Sequence, residues 1–254
     1  VDLGGGTLDQ GEKTMNRNGA QDLTASLNDS QAEAVRYCSG PLLVLAGAGS
    51  GKTRVLAHKF AWLVSEQGLD PRSIMAVTFT NKAAREMRER ISRLLDVDLE
   101  GSDVGTFHSW GLRFLIRNYR DLERITGRKA TTVYDRADTR SLVRTVMKEL
   151  NIDPKQYEPG WMVERLSRAK SEGDPRNLTA GESDFPVGPV FLKYQEGLAR
   201  QGAVDFEDLL LLPLHLLLND GPLLERERAR INWILVDEYQ DVNRPQYLLL
   251  KALS

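Results

Sequence analysis

The stretch LLVLAGAGSGKTRVL, residues 42–56, decides the fold. It opens with a continuous apolar run of β character, suited to a buried parallel strand. Its middle is rich in glycine, so the backbone can turn tightly and its N–H groups can converge without Cβ clashes. Lys52 and Thr53 then open a helix on which Leu56, Phe60, Leu63 and Val64 recur at helical spacing, and Gly68 stops it. Strand, glycine loop, Lys-Thr and helix is the order of a phosphate-binding loop. Backbone amides and the positive end of the helix favour an anion there. Lys52 can reach the β and γ phosphates of a nucleotide, and the Thr53 hydroxyl can hold Mg²⁺. The candidate binding residues are Ala46, Gly47, Ala48, Gly49, Ser50, Gly51, Lys52 and Thr53. Ala46 stands where such loops usually begin with glycine, at a position that takes any small residue. An ordinary glycine-rich turn is the competing reading; it gives no reason for Lys-Thr at a helix start.

Outward from this loop, strands and helices alternate. SIMAVTFT (73–80) reads as a second apolar strand, and NKAAREMRERISRLL (81–95) as an amphipathic helix with Ala84, Met87, Ile91 and Leu94 on one face. SDVGTFH (102–108) reads as a third strand and WILVDE (233–238) as a fourth. The alternation predicts an α/β fold, a parallel sheet flanked by helices. Residues 117–204 show no convincing strand. Leu142, Val143, Val146, Met147 and Leu150 form a helical stripe there, and GWMVERLSRAK and VFLKYQEGLARQG read as further helices. The expectation is an inserted, mostly helical subdomain; the alternative is helices that simply cover the sheet. Residues 1–26 read as a polar, glycine-rich flexible tail. Within it, DLGGGTLD resembles a phosphate loop of the actin and Hsp70 ATPases, but the polar residues around it supply no flanking strands.

The segment ILVDE (234–238) carries an apolar strand straight into Asp237 and Glu238. Ligands of open α/β sheets bind beyond the carboxyl ends of the strands, where the phosphate loop also lies. Asp237 is then placed to bind Mg²⁺, and Glu238 to orient and deprotonate a water that attacks the γ-phosphate. A solvated acidic turn is the alternative for these two residues.

Composition sets outer bounds. The 254 residues are 41% hydrophobic and 28% charged, with a formal net charge of −2, so a nucleic-acid partner has to be held by a local patch. Cys38 is the single cysteine, which excludes an internal disulfide and fits a cytoplasmic location. Three histidines and one cysteine give no metal-ligand spacing. The apolar runs are too short to cross a bilayer, and the first residues contain no apolar signal-peptide core, so no membrane association is expected.

With these motifs in this order, the chain resembles the UvrD/PcrA/Rep family of superfamily 1 DNA helicases. LNDSQAEAV (27–35) is similar to the family's Q motif, AGAGSGKTR (46–54) to its Walker A motif, AVTFTNKAAREMRER (76–90) to motif Ia and GTFHSW (105–110) to motif Ib. VDFEDLL (204–210) is similar to a family segment before the last strand, and LVDEYQD (235–241) to motif II. The resemblance implies a RecA-like ATP-binding domain, 1A, over 27–116 and 205–254, with 117–204 as the inserted subdomain 1B. It implies ATP and Mg²⁺ as ligands, with Gln31 reading adenine, Arg54 near the nucleotide and Gln240 coupling the nucleotide to DNA. Lys52, Asp237, Glu238 and Gln240 become the catalytic set, with Thr53 and Asp237 on Mg²⁺.

The implied partner is single-stranded DNA, or a junction of single and double strands. Phe79 would stack on a base, Thr80 and Asn81 would touch phosphates, and Thr106, Phe107 and His108 would extend the track. For Phe107 and His108 a place in the core is the other reading. Two basic stripes, Arg113, Arg117 and Arg120, and Arg136, Arg140, Arg144 and Lys148, either neutralise phosphates or form ion-paired surface. In the family, the arginines that complete catalysis come from a second, C-terminal RecA-like domain of the same full-length chain. The expectation is therefore a helicase's ATP-binding half that alone binds nucleotide weakly, hydrolyses it poorly and does not unwind. The alternatives are the motor of a RecB- or AddA-type helicase–nuclease and a nucleotide-responsive DNA-binding module without motor action.

Overall fold

The structure, a computed structural model, describes residues 22–47, 49–172 and 186–254. In chain order it contains α1 (Asp29–Arg36), α2 (Lys52–Ser65), β1 (Ile74–Thr78), α3 (Asn81–Leu95), β2 (Asp103–Thr106), α4 (Phe107–Arg117), α5 (Tyr119–Thr126) and β3 (Thr132–Val133). There follow α6 (Arg136–Glu149), α7 (Pro159–Glu172), α8 (Val187–Arg200), β4 (Ala203–Val204), α9 (Asp208–Asn219), α10 (Gly221–Arg230), β5 (Trp233–Val236) and α11 (Arg244–Leu253). Among the described residues no helix is long and apolar enough to cross a membrane.

The main sheet is parallel, in the order β2-β1-β5. Central β1 is fully buried and sorts its side chains by the strand's period of two. Met75 and Val77 face a core with Phe107, Trp110 and Phe114 of α4, Leu212 and Leu216 of α9, and Leu249 of α11. Ile74 and Ala76 face the opposite core, with Ala57, Phe60 and Leu63 of α2 and Met87 and Ile91 of α3. Each fully buried large side chain here contributes roughly 1.5–3 kcal/mol through removal from water. The α/β class expected from the sequence is what the chain adopts, with a parallel sheet flanked by helices.

On the first face α4 and α9 meet backbone to backbone. A methyl group at Gly111 would lie 1.7 Å from the Leu209 carbonyl oxygen. Pro213, inside α9, has no N–H for that same carbonyl, four residues before it. The proline thus frees the carbonyl, and the glycine gives it room.

The apolar run at 42–46 does not form the expected strand. Residues 41–47 belong to no regular element, and Leu42, Leu43, Val44 and Leu45 are 49, 66, 41 and 86% exposed. A strand is held by its neighbour's hydrogen bonds, and the described sheet ends at β5 with no strand against this segment. The tail expected over 1–26 also ends sooner. Leu23 and Thr24 are buried, and the Leu23 carbonyl lies 2.6 Å from His58 Nδ1 on α2. DLGGGTLD lies outside the described residues.

The middle region carries its own core, formed by α6, α7 and α8 around Val143, Met162, Val190, Phe191 and Tyr194. It contains two short strands that its sequence pattern does not announce. β3 pairs with β4 in parallel, Thr132 opposite Ala203, so the chain enters and leaves this region side by side. Two residues each are too few for a periodic signal. Leu122 of α5, expected in the insertion, packs in the α/β core instead.

Candidate functional site

The parallel strands end on one rim. Thr78 of β1 lies opposite Thr106 of β2, and Val77 opposite Val236 of β5. The residues that follow, Phe79, Phe107 and Asp237, therefore emerge together at the carboxyl edge of the sheet. The Asp237 N–H still donates to the Val77 carbonyl at 2.9 Å, which extends the ladder one step past β5.

The glycine loop reaches this rim through one side-chain bond: Thr53 Oγ1 donates to Asp237 Oδ2 at 3.0 Å, across 184 residues of sequence. Gly49 and Gly51 have φ of 76° and 88°, a region closed to most side chains, and this is what turns the loop into α2. The N-terminus of α2 carries no side-chain cap, as is also true of α5, α8 and α9, whereas Asn28, Thr80, Thr106, Asp135, Asp220 and Asn243 cap α1, α3, α4, α6, α10 and α11. Its first N–H groups are thus left for an anion. Lys52 Nζ donates to the Ala46 and Gly47 carbonyls at 3.1 and 3.2 Å, and Ser50 Oγ to Gly47 O at 2.7 Å. Ala48 lies outside the described residues.

Asp237 is 3% exposed. Burial pushes its carboxyl above the ordinary carboxylate range, the Glu238 charge adds to this, and the Thr53 bond opposes it. Glu238 has φ of 50°, which a non-glycine residue adopts only under strain; its N–H donates to Asp237 Oδ1 at 3.1 Å. Gln240 Nε2 donates to Glu238 Oε2, so the expected catalytic residues Asp237, Glu238 and Gln240 form one connected group. Thr53 and Asp237 offer hard oxygen donors side by side, a set that suits Mg²⁺.

Gln31, expected on the adenine, and Arg54, expected near the nucleotide, are engaged elsewhere. The Gln31 amide donates to the Ser50 carbonyl at 2.9 Å. The Arg54 guanidinium donates to the Ser26 carbonyl at 2.7 Å and so clips α2 to the segment that precedes α1.

The expected DNA residues divide. Thr80 and Asn81 are exposed at the start of α3, with Thr80 Oγ1 capping the helix by accepting from Ala83 N at 3.1 Å. Phe79 is half-buried and meets Phe107 edge to face, ring centroids 6.0 Å apart. Phe107 is a correction: at 1% exposure it is a core side chain that supports Phe79 and cannot itself stack on a base. Thr106 is likewise buried, its hydroxyl spent on capping α4. His108 is half-buried, and burial lowers its pKa against the pull of Glu207. It stacks on Phe206, centroids 3.8 Å apart at 18° between planes. Phe206 is 55% exposed and was missed by sequence reasoning. Its neighbours in VDFEDLL gave no warning: Phe206 stands between acids, and of these Asp205 is buried while Phe206 is not.

Asp205 and Asp208, on either side of Phe206 in sequence, belong to a buried ionic cluster. Lys170 of α7 sits 2.7 Å from both Asp205 oxygens and 2.6 Å from Asp208 Oδ1. The Tyr194 hydroxyl donates to Asp205 at 2.9 Å, and Arg128 to Asp208 at 3.3 Å. Burial and its neighbour Asp208 raise Asp205. Burial also pushes Asp208 up, but Lys170 and Arg128 outweigh it and hold Asp208 low. The cluster fastens α7 and α8 to the start of α9.

The basic stripes also divide. Arg113 and Arg117 turn inward onto buried Asp103 at 3.3 and 3.5 Å, and Arg120 lies on the next helix beside Tyr119. Arg136, Arg140, Arg144 and Lys148 line an exposed face of α6, where Arg140 pairs with Glu158 at 3.2 Å.

The UvrD/REP helicase N-terminal domain family matches residues 27–254 of the chain. The ATP-dependent DNA helicase PcrA of Bacillus subtilis (strain 168) is 41% identical over 236 residues, 91% of this chain and 32% of that protein. PcrA of Staphylococcus epidermidis (strain ATCC 12228 / FDA PCI 1200) is 40% identical over 236 residues, and PcrA of Staphylococcus aureus (strain NCTC 8325 / PS 47) 40% over 232. The chain spans about a third of the length of these relatives, covering 31–32% of each.

Proposed function

The chain belongs to the UvrD/REP helicase N-terminal domain family, and from that premise we propose that it is the ATP-binding half of an ATP-dependent DNA helicase or translocase. The observation that carries this reading is the 3.0 Å bond between Thr53 and Asp237, which joins the phosphate loop to the acidic pair at the carboxyl rim of the sheet.

The roles follow from the chemistry of each group. The loop amides from Gly47 to Thr53 and the uncapped start of α2 receive the phosphates. Lys52 leaves its two carbonyls for the β and γ phosphates, an exchange of neutral acceptors for charged ones. Thr53 and Asp237 would hold Mg²⁺, which supplies positive charge against the phosphate oxygens. Glu238 orients a water and accepts its proton, and Gln240, bonded to Glu238, carries the state of the site towards the DNA rim.

Single-stranded DNA, alone or at a junction with duplex, would cross that rim over Phe79 and the His108–Phe206 stack, with Thr80 and Asn81 on phosphates. Stacking serves a motor because every base has a π-face, so the contact holds at each step along the strand. A second RecA-like domain of a longer cytoplasmic protein would supply the arginines that complete hydrolysis. Arg54, beside the loop, is already held by Ser26. On this reading the 254 residues alone hydrolyse ATP poorly and do not unwind DNA.

The test is calorimetric. Lys52→Ala is expected to abolish Mg²⁺–ATP binding by the chain, and unchanged affinity refutes the nucleotide site. Brisk DNA-stimulated ATP turnover by these residues alone refutes the incomplete-site reading.

A further inference from the structure

Phe206 stands in a turn whose two ends are buried. Asp205 and Asp208 are 3% and 0% exposed, and each binds the other's backbone. The Asp208 N–H donates to Asp205 Oδ1 at 2.9 Å, and the Asp205 N–H to Asp208 Oδ2 at 3.3 Å. With both ends folded inward, the ring between them is left facing water. The middle region grips this turn through α7. Lys170 Nζ lies against the carboxylates of both aspartates, and the Ser167 hydroxyl, one turn earlier, donates to Glu207 Oε1. Three of the four residues from Asp205 to Asp208 are thus bonded to α7, and the fourth is Phe206.

The ring itself meets the α/β domain. His108 of α4 stacks on it, and three residues on from each ring Gly111 and Leu209 bring the backbones of α4 and α9 together. Phe206 is therefore aimed by two parts of the molecule at once. A ring that must meet a base loses less conformational freedom on binding if it is already aimed. Lys170 is what allows Asp205 to stay inside: without it Asp208 keeps Arg128, while Asp205 loses its cation and is driven towards water, taking the turn with it. Resting on the reading of this rim as a DNA track, we propose that Lys170, with Ser167 beside it, is a positioning residue for DNA. It fixes the direction of Phe206, so a single strand is gripped fully only while the helical middle region is seated.

Fluorescence anisotropy of a labelled oligothymidine tests this with Lys170→Met, Phe206→Ala and the two combined, and calorimetry with Mg²⁺–ATP checks that the α/β domain is intact. Phe206→Ala is expected to weaken the oligonucleotide about tenfold, within the worth of one stacked base. Lys170→Met is expected to weaken it by a similar factor and to leave Mg²⁺–ATP affinity at the wild-type value. Once Phe206 is alanine, Lys170→Met is expected to add no more than about a twofold loss. Ser167→Ala leaves the buried charges paired and is expected to cost about threefold, again only while Phe206 is present. Wild-type DNA affinity in Lys170→Met overturns the proposal. So does an equal loss with and without Phe206, because Lys170 then acts on DNA by another route. If Lys170→Met fails to bind Mg²⁺–ATP, the Ser167→Ala comparison decides: a loss that needs Phe206 upholds the positioning, and no loss, or one indifferent to Phe206, overturns it. A wild-type chain that does not bind the oligonucleotide, or a Phe206→Ala chain that binds it as wild type does, refutes the rim reading itself, and the positioning with it.

Discussion

Lys52 and Lys170 are the same side chain put to opposite uses. Lys52 rests on two neutral carbonyls at the edge of an open loop. Lys170 is 4% exposed and rests on two carboxylates. Burial alone would lower the Lys170 pKa, yet Asp208 and Asp205 more than reverse this and raise it. The difference lies in what a departing ammonium would leave behind. Lys52 would leave two carbonyls that water can satisfy, so a phosphate can draw it away. Lys170 would leave two buried negative charges facing each other. A ligand site needs partners that are easily exchanged; a structural joint needs partners that cannot be.

The contrast breaks most visibly at the joint. Lys170→Met is expected to cost about 3–5 kcal/mol of stability in denaturant unfolding, because it leaves buried Asp205 without its cation and Asp208 with Arg128 alone. Adding Asp205→Asn should restore part of that loss; a Lys170→Met chain within about 1 kcal/mol of wild type would show that the joint is not locked. At the rim, Phe206→Ala should weaken single-stranded DNA by roughly 1–3 kcal/mol, the worth of one stacked base, with little change in stability. Equal DNA affinity would return Phe206 to the status of a passive neighbour of His108.

Asp237→Asn sharpens the comparison by sign. Because the native carboxyl is raised above its ordinary value, the folded chain holds its proton more tightly than the unfolded chain does. Ionised Asp237 therefore costs stability above the ordinary carboxylate range, a cost that disappears as pH falls through the raised pKa. The substitution should stabilise the free protein near neutral pH by no more than about 1 kcal/mol while weakening Mg²⁺–nucleotide binding. In the wild type that binding should fade on acidification earlier than an ordinary carboxylate would allow, as titration of affinity against pH would show. Smallest of all, Lys52→Ala should move unfolding stability by no more than about 0.5 kcal/mol. A larger loss would make the loop lysine structural after all.

What was legible in the sequence follows the range of the interactions. The glycine loop, the start of α2 and the acidic pair are local: Gly49, Gly51 and the residues after β5 carry their conformations in their own chemistry. The apolar run at 42–46 looked just as local but was not, since a strand depends on a partner elsewhere in the chain. Phe79 and Phe107 each follow a strand of one sheet, and only the packing of α4 shows that one is half-buried and the other sealed. The inward turn of Arg113 and Arg117 was invisible because Asp103, their acceptor, lies on a different element. Lys170 reads as one more surface cation on an amphipathic helix until the start of α9 closes over it.

The neck formed by β3 and β4 has a consequence for how such a molecule can change over time. With Thr132 beside Ala203, the α/β domain meets everything between them as one closed loop, and domain insertions are best tolerated where entry and exit lie together. Arg128, Asp205 and Asp208 sit on the fixed side of that neck, while Lys170 and Tyr194 come from the inserted side. The neck is thus a socket with a charged keyway. A replacement module could differ in length and sequence throughout, provided it offers a buried cation to the two aspartates that wait there.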